Sequence, residues 1–388
     1  MADSALYLML AVWVKELTGN DAAAGLVFLF LSLPAFLAPL AGRLADAVSR
    51  RMLIIVTNLA VAGSILTLLA VRDSSDVWLI YAVTVAYGTA QFLIGAAQSG
   101  LLRDMLPDDE LASANGIFTT IDQGFRIIAP LLGTGLYAAF GPDAVVLLTA
   151  ACFILGAGLM MTLRMTESGP ADEAVSFASL WSGFRVLFAD AELRLVMIAL
   201  GSAFGITGLL NIMVFPLIEQ GLGLPAAALG PIQTVQGIGA VIGGICAAAL
   251  IARLGERRTV GVGVVLLALC LAAATAVVVS PLSGTVPGVA IAASAWLVGG
   301  LGIAVSMVAA VTLRMRKTAA QVQGRASSAM NMLLNLPQTV VMGVGAVLIL
   351  SVDYRVLLAV CVIVLAGVAT MLRPWRASRV STETAAIS

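Results

Sequence analysis

Residues 42–51 read GRLADAVSRR, and residues 252–258 read ARLGERR. Each stretch lies between two long apolar runs. Arg43-Leu44 aligns with Arg253-Leu254, and Asp46 with Glu256, at an offset of about 210 residues. Nearly the same offset carries Arg103 onto Arg314, and Gly133 and Gly135 onto Gly343 and Gly345. A repeat that recurs at equivalent loops divides the chain into two similar halves. Parallel six-span repeats are a transporter architecture, with the substrate site at the repeat interface near mid-membrane.

The runs between these loops are too apolar for water. Of 388 residues, 61% are apolar and 11% charged, 21 basic against 21 acidic, where a soluble domain has about 45–50% and about 25%. Apolar runs set against breakers predict twelve spans: 3–17, 22–42, 52–71, 77–99, 112–140, 144–163, 193–217, 226–252, 259–280, 287–312, 326–350 and 355–372. A helix needs roughly 20 such residues to cross a bilayer. The expected fold is an all-α polytopic membrane protein with a six-helix bundle over 1–164 and another over 192–373. Between them, 165–191 is a cytoplasmic linker carrying the acidic TESGPADEA and the amphipathic FASLWSGFRVLF. Residues 374–388 read as a flexible cytoplasmic tail.

Basic residues test this map. Seventeen of the 21 fall after even-numbered spans, in the linker or in the tail. Lys15, Arg72 and Arg355 fall on the other side, and Arg126 inside span five. That bias places both termini in the cytoplasm, across a cell inner (plasma) membrane. Span one has barely enough residues to cross and no basic residue before it, which predicts either a tilted helix or a start upstream of Met1.

Composition also excludes functions. Zero net charge argues against nucleic acid as a partner. The chain has no histidine, so the commonest metal ligand and the usual near-neutral proton switch are missing. Its four cysteines sit in apolar runs without metal-ligand spacing. No phosphate-cradling G-x-x-x-x-G-K-[ST] pattern occurs. No metal, cofactor or enzyme chemistry is expected, and proton work falls to carboxylates.

Ionisable residues inside spans mark function. Asp122 and Arg126 are four residues apart and share one helix face, which Asn115 and Thr119 continue toward the cytoplasm. They are candidates for proton coupling; a structural ion pair is the competing reading. Asp3 is a third candidate, or else an N-terminal residue at the interface. Polar stripes recur elsewhere: Tyr87, Gln91 and Gln98 in span four, Thr207 and Asn211 in span seven, Gln233 and Gln236 in span eight, and Ser328, Asn331, Asn335 and Gln338 in span eleven. Each amide could simply bond across helices, but their convergence predicts a polar-lined cavity. Gly239/Gly243 and Gly299/Gly300/Gly302 read as close helix packing.

GRLADAVSRR resembles the loop signature of the major facilitator superfamily, roughly G-x-L-A-D-x-x-G-R-R. Gly42, Leu44, Ala45, Asp46, Arg50 and Arg51 are in place, while Ser49 replaces the usual glycine and Ala47 a common basic residue. The resemblance implies a twelve-helix fold and a gating role for Asp46, paired with a basic residue such as Arg103; Arg50 and Arg51 also suit plain topological anchors. FRIIAPLLGTGL in span five, with Arg126, Pro130, Gly133 and Gly135, resembles the helix-packing signature of the antiporter branch. LLRDMLPDDELASANG (101–116) and ADSALYLMLAVWVKELTG (2–19) resemble the efflux group that includes the enterobactin exporter and macrolide efflux proteins. In that group span one begins well before Asp3, which implies a truncated first helix. The resemblance thus implies export of amphipathic small molecules of drug, macrolide or siderophore type by alternating access and proton antiport, by a monomer in the lipid bilayer. A nutrient symporter of the same fold and a non-transporting membrane sensor are the competing expectations.

Overall fold

The computed structural model describes residues 2–37, 48–105, 131–162, 177–318 and 322–372, with Leu44, Ile121, Gly124, Phe125, Ile128 and Ala129 between them. Among the described residues there are helices and turns and no strand. The N-terminal half runs α1 (Ala2–Thr18), α2 (Asp21–Ser32, continued by a 3-10 turn, Leu33–Leu37), α3 (Arg50–Leu66), α4 (Val77–Met105), α5 (Leu131–Phe140) and α6 (Pro142–Thr162). A linker helix follows, α7 (Phe177–Ala189). The C-terminal half runs α8 (Ala191–Pro216), α9 (Leu229–Leu254), α10 (Glu256–Val279), α11 (Val286–Lys317), α12 (Gln323–Leu348) and α13 (Tyr354–Met371).

Nine segments among the described residues are long and apolar enough to cross a membrane, and α1, α2 and α5 are shorter. With those three, the helices match the twelve spans expected, span five being described mainly from 131 on, and α7, the amphipathic piece of the linker, packs on α12 and α8. Local signals explain the boundaries. Asn20, Ser49, Asp190, Thr285 and Asp353 each accept a backbone N–H in the first turn of the helix they precede, filling donors that have no intrahelical partner. Gly255, at φ 78°, turns α9 into α10 in one residue, a backbone conformation that glycine adopts at little steric cost.

Within the C-terminal half the helices approach closely through glycine. A Cβ at Gly208 would overlap the Gln338 carbonyl, at Gly239 the Leu297 carbonyl, and at Gly300 the Gln236 carbonyl. Gly299 meets Cys270 and Gly302 meets the Gly263 carbonyl in the same way. Lipid tails are as apolar as leucine, so such close backbone packing replaces the hydrophobic drive that holds soluble bundles together. The glycines of α9 and α11 therefore serve packing, as their spacing indicated.

The two halves share one apolar core. Residues Leu6 to Val14 of α1 are almost all buried, and they join Val214, Phe215, Ile218 and Met342 from the C-terminal half. Helix α2 spans the divide, packing on α8 and α12 as well as on α1 and α4.

Candidate functional site

The halves are fastened at the end of the bundle away from the arginine-rich loops, called the outer end after the topology expected from the sequence. Lys15, near the C-terminus of α1, lies 2.6 Å from Asp21 at the start of α2 and 2.8 Å from Glu219 beyond α8. Gln220 donates to the same Asp21 at 3.2 Å. Lys15 and Asp21 belong to one half, Glu219 and Gln220 to the other. The Lys15 side chain is 11% exposed, so removing one partner would leave the other charge in a drier setting than that of a surface ion pair, which costs more. Pro216 ends the regular part of α8 and a π-helical turn, Leu217–Gly221, follows. That widened turn presents Glu219 and Gln220 to the other half; such turns recur at functional positions.

Below this fastening the contact is apolar and tight. A Cβ on Gly25 of α2 would stand 3.0 Å from Ile212 Cδ1 and 3.2 Å from Ile212 Cα on α8. One on Gly343 of α12 would stand 3.8 Å from Leu29 Cδ1. Beside it, Tyr137 of α5 donates its hydroxyl to Glu16, and Tyr81 of α4 donates to the Ala23 carbonyl at 2.9 Å, tying α1 and α2 to their own half.

The sequence-derived candidates distribute as follows. Gly42, Asp46, Thr119, Asp122, Arg126 and Pro130 lie outside the described residues. Asp3 lies on α1 and Arg103 on α4. Arg50 begins α3, and the Arg51 guanidinium donates to the carbonyls of Met160 and Met161, at 2.9 and 2.7 Å. Those are carbonyls at the C-terminus of α6, where a cation is favoured, so Arg51 is a helix cap. In the second half, Glu256, the repeat counterpart of Asp46, pairs with Arg316 at the end of α11. Lys317 bridges Asp190 at 3.0 Å and Glu192 at 3.2 Å. Leu193 N–H and then Lys317 hold the Asp190 carboxyl below its ordinary value. Gly133 is buried; a Cβ on Gly135 would meet no described atom within 4 Å.

The polar stripes divide by helix. Tyr87 is 2% exposed, its ring edge-on to Phe153 of α6, and its hydroxyl accepts from half-buried Gln91 at 2.9 Å; this part of the α4 stripe is packed between helices. On α8, Asn211 is half-buried, and Thr207 accepts from Gln338 of α12 at 3.3 Å. Gln233 and Gln236 of α9 are half-buried. Asn331 and Asn335 of α12 are exposed, and Asn335 donates to the Asn331 carbonyl at 2.8 Å. Among the described residues no group of three or more His, Cys, Asp or Glu could hold a metal.

Sequence reasoning did not single out Lys15, Asp21, Glu219 or Gln220 as a site. The available signal was Pro216 followed by the polar break Glu219-Gln220 at the end of an apolar run.

A family model described as Major Facilitator Superfamily matches residues 1–230 and 195–386. The chain is 24% identical over 236 residues to the "Uncharacterized MFS-type transporter YfiS" of Bacillus subtilis (strain 168), a match covering 58% of this chain and 55% of that relative. The chain thus spans little more than half the length of that relative. Among solved structures it is similar to the nucleoside transporter NupG, at TM-score 0.68 and 15% identity over 96% of this chain and 98% of that one. It is also similar to a bacterial homologue of the iron transporter ferroportin, at 14% identity over 96% of this chain. Here the inward-facing structure gives TM-score 0.68 over 94% of that chain and the outward-facing one 0.57 over 97%.

Proposed function

This chain belongs to the Major Facilitator Superfamily and is a multi-pass membrane protein; from that premise we propose that it is a transporter that exports amphipathic small molecules in exchange for protons, by rocking one half against the other. The observation that carries the reading is that, among the described residues, the polar contacts between the halves gather at one end. Lys15–Glu219 and Gln220–Asp21 join the halves at the outer end, while the asparagines of α12 stand exposed along its other part. That is the geometry of a site closed outward and open inward, one of the two states an exporter alternates between. The better fit to the inward-facing ferroportin homologue supports it.

Transport needs a binding-energy difference between the two states. Protonation of Asp122 beside Arg126, with Asp3 as a further acid, supplies it in this reading. Asp46, working with Arg103, gates the cytoplasmic end. The protein acts as a monomer in the inner (plasma) membrane with both termini cytoplasmic, and residues 165–191 tether two bundles, 1–164 and 192–373. Export rather than uptake is favoured by the span-five stretch FRIIAPLLGTGL.

The test is a substrate panel in inverted vesicles, with and without an imposed pH gradient. The reading expects gradient-driven accumulation inside the vesicles, abolished by Asp122→Asn or Arg126→Ala in protein that still reaches the membrane folded. Full transport by both variants overturns the coupling role, and substrate accumulation by intact cells points to an uptake carrier.

A further inference from the structure

The C-terminal half carries its charged residues at helix ends and turns alone. From Leu195 to Leu372, charged residues occur only at Glu219, Arg253, Glu256 to Arg258, Arg314, Arg316, Lys317, Arg325, Asp353 and Arg355. All of them sit at helix ends or turns. The membrane-level parts of α8 to α13 therefore hold amides, hydroxyls and apolar groups, whereas span five of the other half carries Asp122 and Arg126.

Two helices show which face is wet. At about 100° per residue, Ser328, Asn331, Asn335 and Gln338 of α12 fall within about 80° of one another. The exposed Val340, Val344 and Val347 centre on the opposite side. Helix α9 repeats the pattern, with Gln233 and Gln236 opposite the exposed Ile238, Ile242 and Ile245. Each helix thus has one apolar exposed face and one amide face. Asn335 lies about 18 Å along α12 from Gln323. An amide facing hydrocarbon at that depth costs several kcal/mol. The apolar faces therefore meet lipid, and the amide faces turn to the inside of the bundle, where Gln236 and Gln338 lie against α11 and α8 while Asn331 and Asn335 stay exposed.

We propose that these amides read an uncharged, hydrogen-bond-rich face of the substrate, made of hydroxyls, carbonyls or amides, and that any charge the substrate bears is matched by the N-terminal half. This rests on the transporter reading above. Gln338 is engaged across helices with Thr207, whereas Asn335 bonds within its own turn, to the Asn331 carbonyl, so the exposed Asn331 and Asn335 are the α12 groups placed for the substrate. An uncharged wall imposes no fixed charge requirement, and it rewards any ligand whose hydroxyls replace cavity water on these amides.

Two probes sharing one alkyl tail and one nitrobenzoxadiazole fluorophore test this, one ending in glucose and the other in trimethylammonium. In inverted vesicles, Asn335→Leu should raise the KM of the glucoside about tenfold, the equivalent of one strong hydrogen bond. The trimethylammonium probe should stay within about twofold, because a charged head is read by the other half. Elution of the purified variant as a single folded species separates this from misfolding. Equal losses for both probes would overturn the proposal, as would an unchanged glucoside KM in both Asn331→Leu and Asn335→Leu. If neither probe moves through the unsubstituted chain, the transporter reading fails instead. The same comparison is then made by equilibrium binding to the purified protein, where the glucoside-selective loss supports the proposal and its absence overturns it.

Discussion

Lys15 Nζ stands 2.8 Å from a Glu219 carboxylate oxygen, and that contact joins the two halves at the outer end. The lysine also holds Asp21 of its own half at 2.6 Å. Opening the outer end must therefore break Lys15–Glu219 while Lys15–Asp21 persists. Glu219→Gln should weaken outer closure by about 1–2 kcal/mol, which is about five- to thirtyfold in the ratio of open to closed forms. Spin-label distances between the outer ends of α2 and α9 read this population directly. Asp21→Asn keeps the Lys15–Glu219 bridge and weakens only the neutral Gln220–Asp21 hydrogen bond across the halves, so it should shift the population less. An unchanged distance distribution in Glu219→Gln would show that the apolar contact alone closes this end.

Gly25 tests that apolar contact. Its missing Cβ leaves room for Ile212 across the divide. Gly25→Val should push the outer ends apart without touching a charge, so its effect on the distances should resemble that of Glu219→Gln. Gly208→Val is the contrast, because its Cβ would overlap the Gln338 carbonyl inside one half. Overpacking of this kind costs about 1–3 kcal/mol or more. It should appear as a lower melting temperature in detergent, not as a shifted population.

The span map was legible because apolar length and arginine placement are properties of local sequence. The fastening was not. Lys15 reads as one of three basic residues on the sparse side, Asp21 as an acid at a helix start, and Glu219 as an acid in a turn some 200 residues away. Only the fold brings them together. Polar stripes were half legible for a related reason. Helical period shows which residues share a face but not what the face meets. Tyr87 and Gln91 do share one, yet the ring is packed on Phe153, whereas Asn331 and Asn335 are exposed. The repeat carried over in part: Glu256, the counterpart of Asp46, does pair with a base, but with Arg316, two residues beyond Arg314, the counterpart of Arg103.

Gln338 and Thr207 offer a way to tell packing from recognition. Their 3.3 Å bond crosses from α12 to α8. Hydrogen bonds between membrane helices are worth about 0.6 kcal/mol on average. Gln338→Leu should thus lower stability by well under about 1 kcal/mol, measured by denaturation in detergent. A fall in transport much larger than tenfold with so small a loss of stability would place Gln338 against the substrate.

Arg51 caps α6 through the carbonyls of Met160 and Met161. Arg51→Ala should destabilise the N-terminal half by about 1 kcal/mol, and Arg51→Lys should recover only part, since an ammonium lacks the planar fork that spans two carbonyls. Topology should be unchanged, because sixteen other basic residues share its side of the span map. A reporter fused to the C-terminus distinguishes the two roles. Inversion of the chain would make Arg51 a topological determinant instead.

Asp190 predicts the behaviour of the C-terminal half in acid. Its carboxyl accepts from Leu193 N–H at 2.9 Å and binds Lys317, and both hold it below its ordinary value. A carboxylate whose folded value is depressed adds stability above its unfolded value, near pH 4, and loses it as pH falls through the lower folded value. Above about pH 5, Asp190→Ala should therefore cost about 1 kcal/mol, the usual worth of a helix N-cap. The difference should close as pH drops below about 4, where the native carboxyl also becomes protonated. Melting curves of the two proteins from pH 7 to pH 3 supply the comparison. A gap that stays constant over that range would mean that the side chain acts through its shape and not through its charge.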